Sequence, residues 1–333
     1  MRSGITRKVT VALAAVATTT LMLAGCSATG DASGNDQIRI GALYLDSQGY
    51  YGGVKAGVAA AADESGLDVK FLETTSAGDV SKESTFMNTL VSSGVDAIII
   101  SAVSTEGSIP AIKQAYDAGI PVICYNTCVT DEATDKYVTA YILGDPIEFG
   151  KQLGENAVSY FTEAGIDSPK MGVINCEQYE VCQQRLKGFE DALTAGLPGA
   201  EIVANQEGAE VDKAVPTAEQ MLSANPNLDG IYGEAGGATV GAYKAVGTRD
   251  LVGKVAVFGS DMTTEIATEL QSGEVLKSVV DISGLEVGKL AFGAAQDGID
   301  GNPPAEKVVA APITLFTPDM AADWLTSHAD GLP

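Results

Sequence analysis

Apart from its carboxylates, this chain has few side chains that could catalyse a reaction. The only histidine is His328 and there is no GxSxG elbow, so a Ser-His-Asp or Cys-His site has almost no material. No GxGxxG follows a strand pattern, and residues 144–151 lack the spacing of a phosphate loop. The 44 acidic residues make carboxylate pairs inevitable, so glycoside hydrolysis is the enzymatic alternative to binding without chemistry.

The N-terminus is typical of an exported protein. A basic start precedes an apolar run that ends in small residues, so residues 1–25 are predicted to be a signal peptide. The sequence LAGC, residues 23–26, resembles the lipobox of bacterial lipoproteins, which implies cleavage before Cys26 and lipidation of its sulfur. Residues 26–37 are predicted to be a flexible tether. We therefore expect an extracytoplasmic protein that is lipid-anchored to the cell membrane; a plain secretory signal and a transmembrane helix are the alternatives.

Four further cysteines, Cys124, Cys128, Cys176 and Cys182, are an even number in an exported chain. Oxidation is the default outside the cytoplasm, so two disulfides are predicted. The spacings CYNTC and CEQYEVC favour pairing within each short loop, but four cysteines allow three pairings and the sequence does not choose among them. Both spacings are wider than those of zinc knuckles, so no metal site is expected.

The overall charge argues against a nucleic-acid ligand. The formal net charge is −24, and removal of the three positive charges in residues 1–25 makes it −27. Such a surface repels phosphate backbones. With 45% hydrophobic and 19% charged residues the chain is expected to fold, and its length favours two cores.

Two adjacent tyrosines stand in a glycine-rich turn after an apolar run, in LYLDSQGYYGGVKAG at residues 43–57. A flat aromatic ring can cover the C–H patch of a sugar or polyol while polar groups bind the surrounding hydroxyls. Tyr50 and Tyr51 are therefore candidate ligand contacts. The alternative is that they are core or lid residues, and it applies more to Tyr51 than to Tyr50.

Short apolar runs alternate with amphipathic stretches from residue 38 onward, which predicts repeated strand–helix units and parallel sheets. In LGDPIEFG, Asp145 is predicted to cap a helix that begins at Pro146, with Glu148 completing a capping box. A boundary at this point predicts two lobes, residues 38–143 with 282–313 and residues 144–281 with 314–333, joined by several chain crossings that form a hinge. Nine strands are predicted, at residues 38–44, 68–73, 96–101, 120–125, 170–175, 200–205, 228–233, 254–259 and 275–280.

The order and spacing of several segments resemble a known family. These segments are SQGYYGGVKAG, GVDAIIISAVSTEGSIPAIKQAYDAGIPVICYN, LGDPIEFGKQLGE, QQRLKGFEDAL, LDGIYGEAGGATVGAYKAV and VAVFGSDM. From about residue 38 to about residue 316, the chain is similar to the sugar-binding solute receptors of ABC importers, the periplasmic binding proteins of ribose-binding type. The resemblance implies the type I periplasmic binding protein fold, an α/β fold with two Rossmann-like lobes, parallel sheets and a multi-strand hinge.

The resemblance implies ligand contacts in the first lobe. In the family, the turn after the first strand carries a polar residue and two aromatic residues that stack on the sugar; Gln48, Tyr50 and Tyr51 match them. After the fourth strand the family usually has an Asp-Arg pair that binds hydroxyls, and Asn126 and Thr127 stand there instead.

It implies further contacts in the second lobe. In the family, a motif at the start of a helix carries two arginines. Gln183 stands at the position of the first arginine. Arg185 matches the second, and a structural role is expected for it. The family's amide is replaced by Glu234, and its aspartate after the next strand is retained as Asp261.

The hinge position usually offers a glutamine in this family. Asp281 is the candidate by charge, and Ile282 is the candidate by strict alignment; Asp281 is preferred. Two cationic donors are thus replaced by neutral groups and one amide by a carboxylate, so the site is expected to be rich in acceptors for ligand hydroxyls.

These observations predict a receptor that closes on a small neutral sugar or polyol and presents it to an ABC permease. We expect a monomer that needs no cofactor and performs no chemistry. The alternatives are a receptor for an amine or an autoinducer-type signal ligand on the same fold, and a cell-surface glycosidase. A nucleoside ligand is less favoured, because no second aromatic residue is evident that would sandwich a base.

Overall fold

The computed structural model describes residues 37–47, 49–329 and 331–333. The predicted signal peptide, the predicted lipidation site Cys26 and the candidate contact Gln48 lie outside the described residues. Among the residues that are described, no helix combines the length and the apolar character that crossing a membrane requires.

Strands and helices alternate along the described chain, as the hydrophobic pattern predicts. The strands are β1 (Ile38–Tyr44), β2 (Val69–Thr75), β3 (Ala97–Ile100), β4 (Val122–Tyr125), β5 (Ala140–Leu143), β6 (Lys170–Asn175), β7 (Glu201–Glu207), β8 (Gly230–Gly233), β9 (Ala256–Ser260), β10 (Leu276–Asp281), β11 (Val308–Ala310) and β12 (Thr314–Phe316). The helices are α1 (Gly49–Ser65), α2 (Val80–Ser93), α3 (Ile109–Asp117), α4 (Asp131–Tyr137), α5 (Pro146–Ala164), α6 (Glu180–Gly196), α7 (Val211–Ala224), α8 (Gly236–Thr248), α9 (Thr264–Ser272), α10 (Gly284–Ile299) and α11 (Ala321–Ser327).

The strands form two separate six-stranded sheets. The first has the order β2-β1-β3-β4-β5-β11, and all its neighbouring strands are parallel. The second has the order β7-β6-β8-β9-β10-β12, and only β12 runs antiparallel, against β10. We call each sheet with its packed helices a lobe. The predicted α/β class with two parallel sheets is confirmed.

Each of the nine predicted strands corresponds to a strand of the structure, within a few residues at either end. The prediction missed β5, β11 and β12. The strands β11 and β12 have only three residues, which is too short for a periodic pattern to be recognised. The strand β5 has four. The strands β11 and β12 belong to different sheets although only three residues separate them.

Each lobe contains a helix pair in very close contact. In the first lobe α1 lies on α10, and a Cβ atom at Gly57 would collide with the carbonyl oxygen of Leu285. In the second lobe α5 lies on α6, and a Cβ atom at Gly150 would collide with the carbonyl oxygen of Arg185. Glycine is required at such contacts because the backbones themselves touch. These pairs fix the start of α1 and the position of Arg185.

Within residues 37–333, as far as the structure describes them, the chain passes between the sheets at three places, after β5, after β10 and after β11. The crossings pack on one another, because a Cβ atom at Gly144 would collide with Ile282 and lie 3.3 Å from Cγ1 of Ile313. Asp145 caps α5 as predicted, since its Oδ1 accepts hydrogen bonds from the amides of Ile147 and Glu148 at 2.9 and 3.1 Å. Several short segments that pack together are the usual construction of a hinge.

Candidate ligand-binding site

Tyr50 and Tyr51 form an aromatic pair at the start of α1, directly after β1. Their ring centroids are 5.2 Å apart and the rings are nearly perpendicular. The ring of Tyr51 also lies 6.2 Å from that of Tyr125, at the end of β4. Burial raises the pKa of both hydroxyls, so both tyrosines are neutral and can donate a hydrogen bond.

Asn126 connects this pair to the neighbouring loop. Its Nδ2 donates to the hydroxyl of Tyr51 at 3.0 Å, and its carbonyl accepts from the hydroxyl of Tyr141 at 2.7 Å. Its φ of 57° lies in the left-handed region, which an asparagine tolerates better than most residues. This backbone conformation turns the chain at the end of β4 and brings the amide to Tyr51.

Thr127 is buried, and its hydroxyl is already engaged within the first lobe. Its Oγ1 donates to the carbonyl of Ala102 at 2.7 Å and lies 2.7 Å from Oγ of Ser101. The side chain therefore holds the loop after β4 to the loop after β3. Its predicted contact with a ligand stays a prediction.

Three carboxyl groups lie at the ends of strands of the second lobe: Glu234 and Asp261 directly follow β8 and β9, and Asp281 is the last residue of β10. Each accepts a backbone hydrogen bond within that lobe, from Cys176 at 2.9 Å, Gly236 at 2.8 Å and Met262 at 2.8 Å respectively. Parallel strands bring their carboxyl ends to one edge of the sheet, which is where ligands bind in open α/β folds.

Burial changes the ionisation of these groups. It raises the pKa of Glu234 to about 8 and that of Asp281 to about 7, and it raises the pKa of Asp261 as well. Oε1 of Glu234 has no hydrogen-bond partner although the residue is fully buried. An unpaired buried carboxyl oxygen is unusual, and a bound ligand would satisfy it.

Arg185, on α6, is the cation that faces these carboxyl groups. It is buried, its guanidinium carbon lies 4.3 Å from the centroid of the Phe149 ring, and its Nε has no partner. Its charge lowers the pKa of Glu234, Asp261 and Asp281, although burial outweighs this effect. One buried donor therefore stands beside the acceptors of the three carboxyl groups.

The position of Arg185 could have been recognised from helical spacing. Cys182, Arg185, Leu186 and Phe189 are buried and recur at the spacing of one helix face. Gln183 lies two positions before Arg185, about 200° around the helix. The structure places Gln183 on the exposed side, where its Nε2 donates to the carbonyl of Glu177 at 2.8 Å. Its predicted contact with a ligand stays a prediction.

The two lobes face each other across this site. The pKa of Tyr50, in the first lobe, is raised by burial and by the charge of Asp261, and lowered by the charge of Arg185, both in the second lobe. The aromatic pair therefore lies opposite the carboxyl groups and the guanidinium.

Two cysteine pairs lie next to the site. The sulfurs of Cys124 and Cys128, and those of Cys176 and Cys182, lie at bonding distance. In the described residues, one group of atoms has a spacing that could hold a metal ion, formed by Cys176, Cys182 and Glu234 within 4.8 Å. Sulfurs that are joined in a disulfide are not thiolates, which is the form that binds metals.

A cavity of about 280 Å³ lies between the lobes beside this site. Its first-lobe wall includes Thr127 and Tyr141, together with Glu106 and Asp131. Its second-lobe wall comes from residues 178–181 and 184, in the loop before α6 and the first turns of that helix. The aromatic pair does not line this cavity.

Comparison with known proteins places this geometry in a family. The family described as "Periplasmic binding protein domain" matches residues 42–303. The chain is 54% identical over 298 residues to the ABC transporter periplasmic-binding protein YphF of Escherichia coli (strain K12), with 89% of this chain and 91% of that protein covered. It is 28% identical over 251 residues to the galactofuranose-binding protein YtfQ of the same organism, with 72% and 75% covered.

A solved structure has the same fold. The periplasmic solute-binding protein of an ABC transporter from Actinobacillus succinogenes 130z, solved with bound D-allose, superimposes with a TM-score of 0.78 at 21% identity and covers 86% of this chain and 100% of its own. Proteins of this kind bind solutes and do not convert them chemically, so the glycosidase alternative is set aside. The chain belongs to the periplasmic binding protein family of ABC transporters, and it has the type I fold of that family.

Proposed function

We propose that this protein is the extracytoplasmic receptor of an ABC importer and that it closes its lobes on a small neutral sugar or polyol. The observation that carries the proposal is the aromatic pair of the first lobe facing Arg185 and three carboxyl groups of the second lobe. We assign residues 38–143 with 282–313 to the first lobe and residues 144–281 with 314–333 to the second.

The tyrosine pair suits the apolar part of such a ligand. A ring of Tyr50 or Tyr51 can stack on the C–H patch of a sugar while its neutral hydroxyl remains free to bond at the edge of the ligand. Asn126 adds an amide next to Tyr51.

The second lobe suits the hydroxyl groups. With a pKa of about 8, Glu234 is mainly protonated at neutral pH, so its carboxyl group can donate as well as accept. Arg185 donates, and Asp261 and Asp281 add acceptors. A sugar hydroxyl both donates and accepts, so it can use every group of this set. Among the described residues, a phosphate or carboxylate ligand would meet the carboxylates of Asp261 and Asp281 against the single guanidinium of Arg185, which disfavours it.

Relatives support the ligand class. The similar protein from Escherichia coli is a galactofuranose-binding protein, and the similar structure from Actinobacillus succinogenes contains D-allose. Both ligands are neutral sugars with several hydroxyl groups.

We further propose that the mature protein begins at Cys26, carries its lipid there, acts as a monomer and delivers its ligand to a permease. We also propose the disulfides Cys124–Cys128 and Cys176–Cys182. Each would rigidify one wall of the site, because Cys128 follows Thr127 and the amide of Cys176 bonds to Glu234. Peptide mapping without reduction should recover both pairs, and replacing both pairs by serine should lower affinity. Unchanged affinity and stability would contradict this role.

A thermal-shift screen of the purified protein tests the ligand class. The panel contains neutral pentoses and hexoses, tetritols, pentitols, hexitols and a few polyamines. A ligand that binds only the folded state adds about 2.7 kcal/mol at one hundred times its dissociation constant, which raises the melting temperature by a few degrees. We expect this shift with one series of sugars or polyols.

A pair of tyrosine variants locates the binding. Tyr50→Ala should abolish the shift, whereas Tyr116→Ala, at an exposed tyrosine of the first lobe, should keep it. A shift with polyamines alone would make the carboxyl groups a cation site and contradict the proposal. No shift with any compound of the panel would contradict it as well.

A further inference from the structure

The cavity beside the aromatic pair has the dimensions of a binding site for an additional group. Its volume of about 280 Å³ is close to the lower end of the roughly 300–1,000 Å³ typical of small-molecule pockets. Both lobes line it, so closure of the lobes forms it and a ligand inside would contact both. Its size suits one additional ring better than a long chain.

A series of hydrogen bonds leads from the aromatic pair to this cavity. The amide of Asn126 donates to the hydroxyl of Tyr51, and the hydroxyl of Tyr141 donates to the carbonyl of Asn126. Tyr141 lines the cavity, as does Thr127, the neighbour of Asn126. A ligand held at Tyr50 and Tyr51 therefore has a continuous polar wall along which a second group can extend.

The charges around the cavity indicate which kind of group fits. Glu106 and Asp131 come from the first lobe and Glu180 from the second, and none of the described residues that line the cavity is a lysine or an arginine. Burial raises the pKa of the Tyr141 hydroxyl, the charges of Glu180 and Asp131 raise it further, and the charge of Arg185 lowers it. All three carboxylates are exposed, so they can accept hydrogen bonds from donors that enter the cavity. Hydroxyl groups are such donors.

We propose that this cavity is a second subsite, which accepts a neutral, hydroxyl-rich ring attached to the sugar or polyol of the first site. The transported ligand is then a disaccharide or a glycoside. Val129 and the ring of Tyr179 provide the apolar face that such a ring needs, and the carboxylates and Gln184 bind its hydroxyls. The inference rests on the proposed function and specifies the ligand class.

Calorimetric titration with matched ligands tests the subsite. The probes are D-galactose, D-allose and D-ribose, their methyl glycosides, and the disaccharides lactose, melibiose and sucrose. We expect at least one disaccharide or glycoside to bind as tightly as the best monosaccharide or more tightly. Thr105→Trp, which fills the cavity, should weaken binding of that ligand by about tenfold or more and leave the best monosaccharide within about twofold.

Matched variants separate the subsite from other effects. Thr89→Trp, on the exposed side of α2 in the same lobe, should change neither affinity. Glu180→Gln is a milder change at the rim; it removes one charged acceptor and should weaken only the extended ligand, by about tenfold. This variant keeps the test valid should Thr105→Trp fail to fold.

Three outcomes would overturn the inference. Binding of monosaccharides without binding of any disaccharide or glycoside would remove the subsite and leave the proposed function intact. Equal weakening of both ligand types by Thr105→Trp and by Glu180→Gln would mean that the cavity is not a separate subsite. Absence of binding by every probe would contradict the proposed function together with the subsite.

Discussion

Arg185 contributes one positive charge to a group of three carboxyl groups at the edge of the second sheet. A guanidinium cannot lose its charge in a protein, so a buried arginine needs partners. Here the partners are the ring of Phe149 on one side and the fields of Glu234, Asp261 and Asp281 on the other. We therefore expect the residue to be necessary for stability and, under the proposed function, to donate to ligand hydroxyls.

Replacement of this cation should weaken both stability and binding. Arg185→Met keeps the length of the side chain but leaves the carboxyl groups without their opposite charge, which costs about 3 kcal/mol of unfolding free energy. Affinity for the ligand should fall in parallel, because one donor is lost. Urea denaturation and calorimetry measure the two effects. The matched change Arg249→Met, at an exposed arginine, should alter stability by about 0.5 kcal/mol or less; equal effects of the two changes would contradict a special role for Arg185.

The pKa values of Glu234 and Asp281 predict how stability depends on pH. The folded protein holds protons on these groups up to about pH 8 and pH 7, whereas carboxyl groups of an unfolded chain lose them near pH 4. Between these limits the folded state binds more protons, so the free energy of unfolding falls as pH rises. Urea midpoints of the unliganded protein should therefore decrease from pH 5 to pH 8.

A glutamine variant tests the contribution of Glu234 to this slope. Glu234→Gln has no titratable group at this position, so its urea midpoint should decrease less between pH 5 and pH 8 than the midpoint of the wild type. Glu64→Gln, at an exposed glutamate on α1, serves as the control and should follow the wild-type profile. A urea midpoint of the wild type that rises from pH 5 to pH 8 would refute the raised pKa values of Glu234 and Asp281.

At the scale of elements, α1 and α10 determine where the aromatic pair stands. Gly284, at the start of α10, touches the backbone of Tyr50, and Gly288 touches the backbone of Val54 and Val58. Because the helices meet through their backbones, the start of α1 has little freedom to shift. The tyrosines are thus held in place by α10, the helix that follows the second crossing of the chain.

Two glycines of α10 provide a matched test of this contact. Gly288→Ala would place a methyl group against the backbone of α1, and such overpacking costs about 1–3 kcal/mol. Gly293→Ala, one and a half turns along the same helix, meets open space and should raise stability by about 0.5–1 kcal/mol. Urea unfolding measures both. Similar effects of the two substitutions would show that the helix contact is not tight.

At the scale of the whole molecule, three chain crossings join two lobes that each have their own sheet. The closure that we propose requires changes of backbone angle at only a few residues, among them Gly144 and its neighbours Ile282 and Ile313. The candidate site lies between the lobes, so we expect a ligand to enter when they separate.

Closure predicts a change of shape on binding. The radius of gyration of the unliganded protein in solution should exceed that of the complex, because the ligand favours the closed arrangement by its differential affinity. Small-angle X-ray scattering with and without the ligand found by thermal shift measures this difference. An unchanged radius of gyration with a saturating ligand would contradict binding by closure.

Much of the fold could be predicted from the sequence, but only part of the site could be. The nine predicted strands and the cap at Asp145 were predictable because they follow from local patterns. The tyrosine pair was recognisable for the same reason, although the structure places it at the start of α1 and not in a turn. Gln183 and Arg185 were harder, since a motif match does not say which of two positions on a helix faces the interior. Helical spacing predicts that Arg185, and not Gln183, faces the interior.

The sequence by itself determined the alternation of strands and helices, the parallel sheets and the aromatic turn after β1. Periodicity and turn chemistry act over a few residues, so they can be read along the chain. Only the tertiary structure revealed the short strands β5, β11 and β12 and decided that Arg185 faces Glu234, Asp261 and Asp281. It also revealed the cavity between Tyr141 and Glu180. These features depend on contacts between residues far apart in the sequence, and packing of the two lobes, rather than any local preference, brings them together.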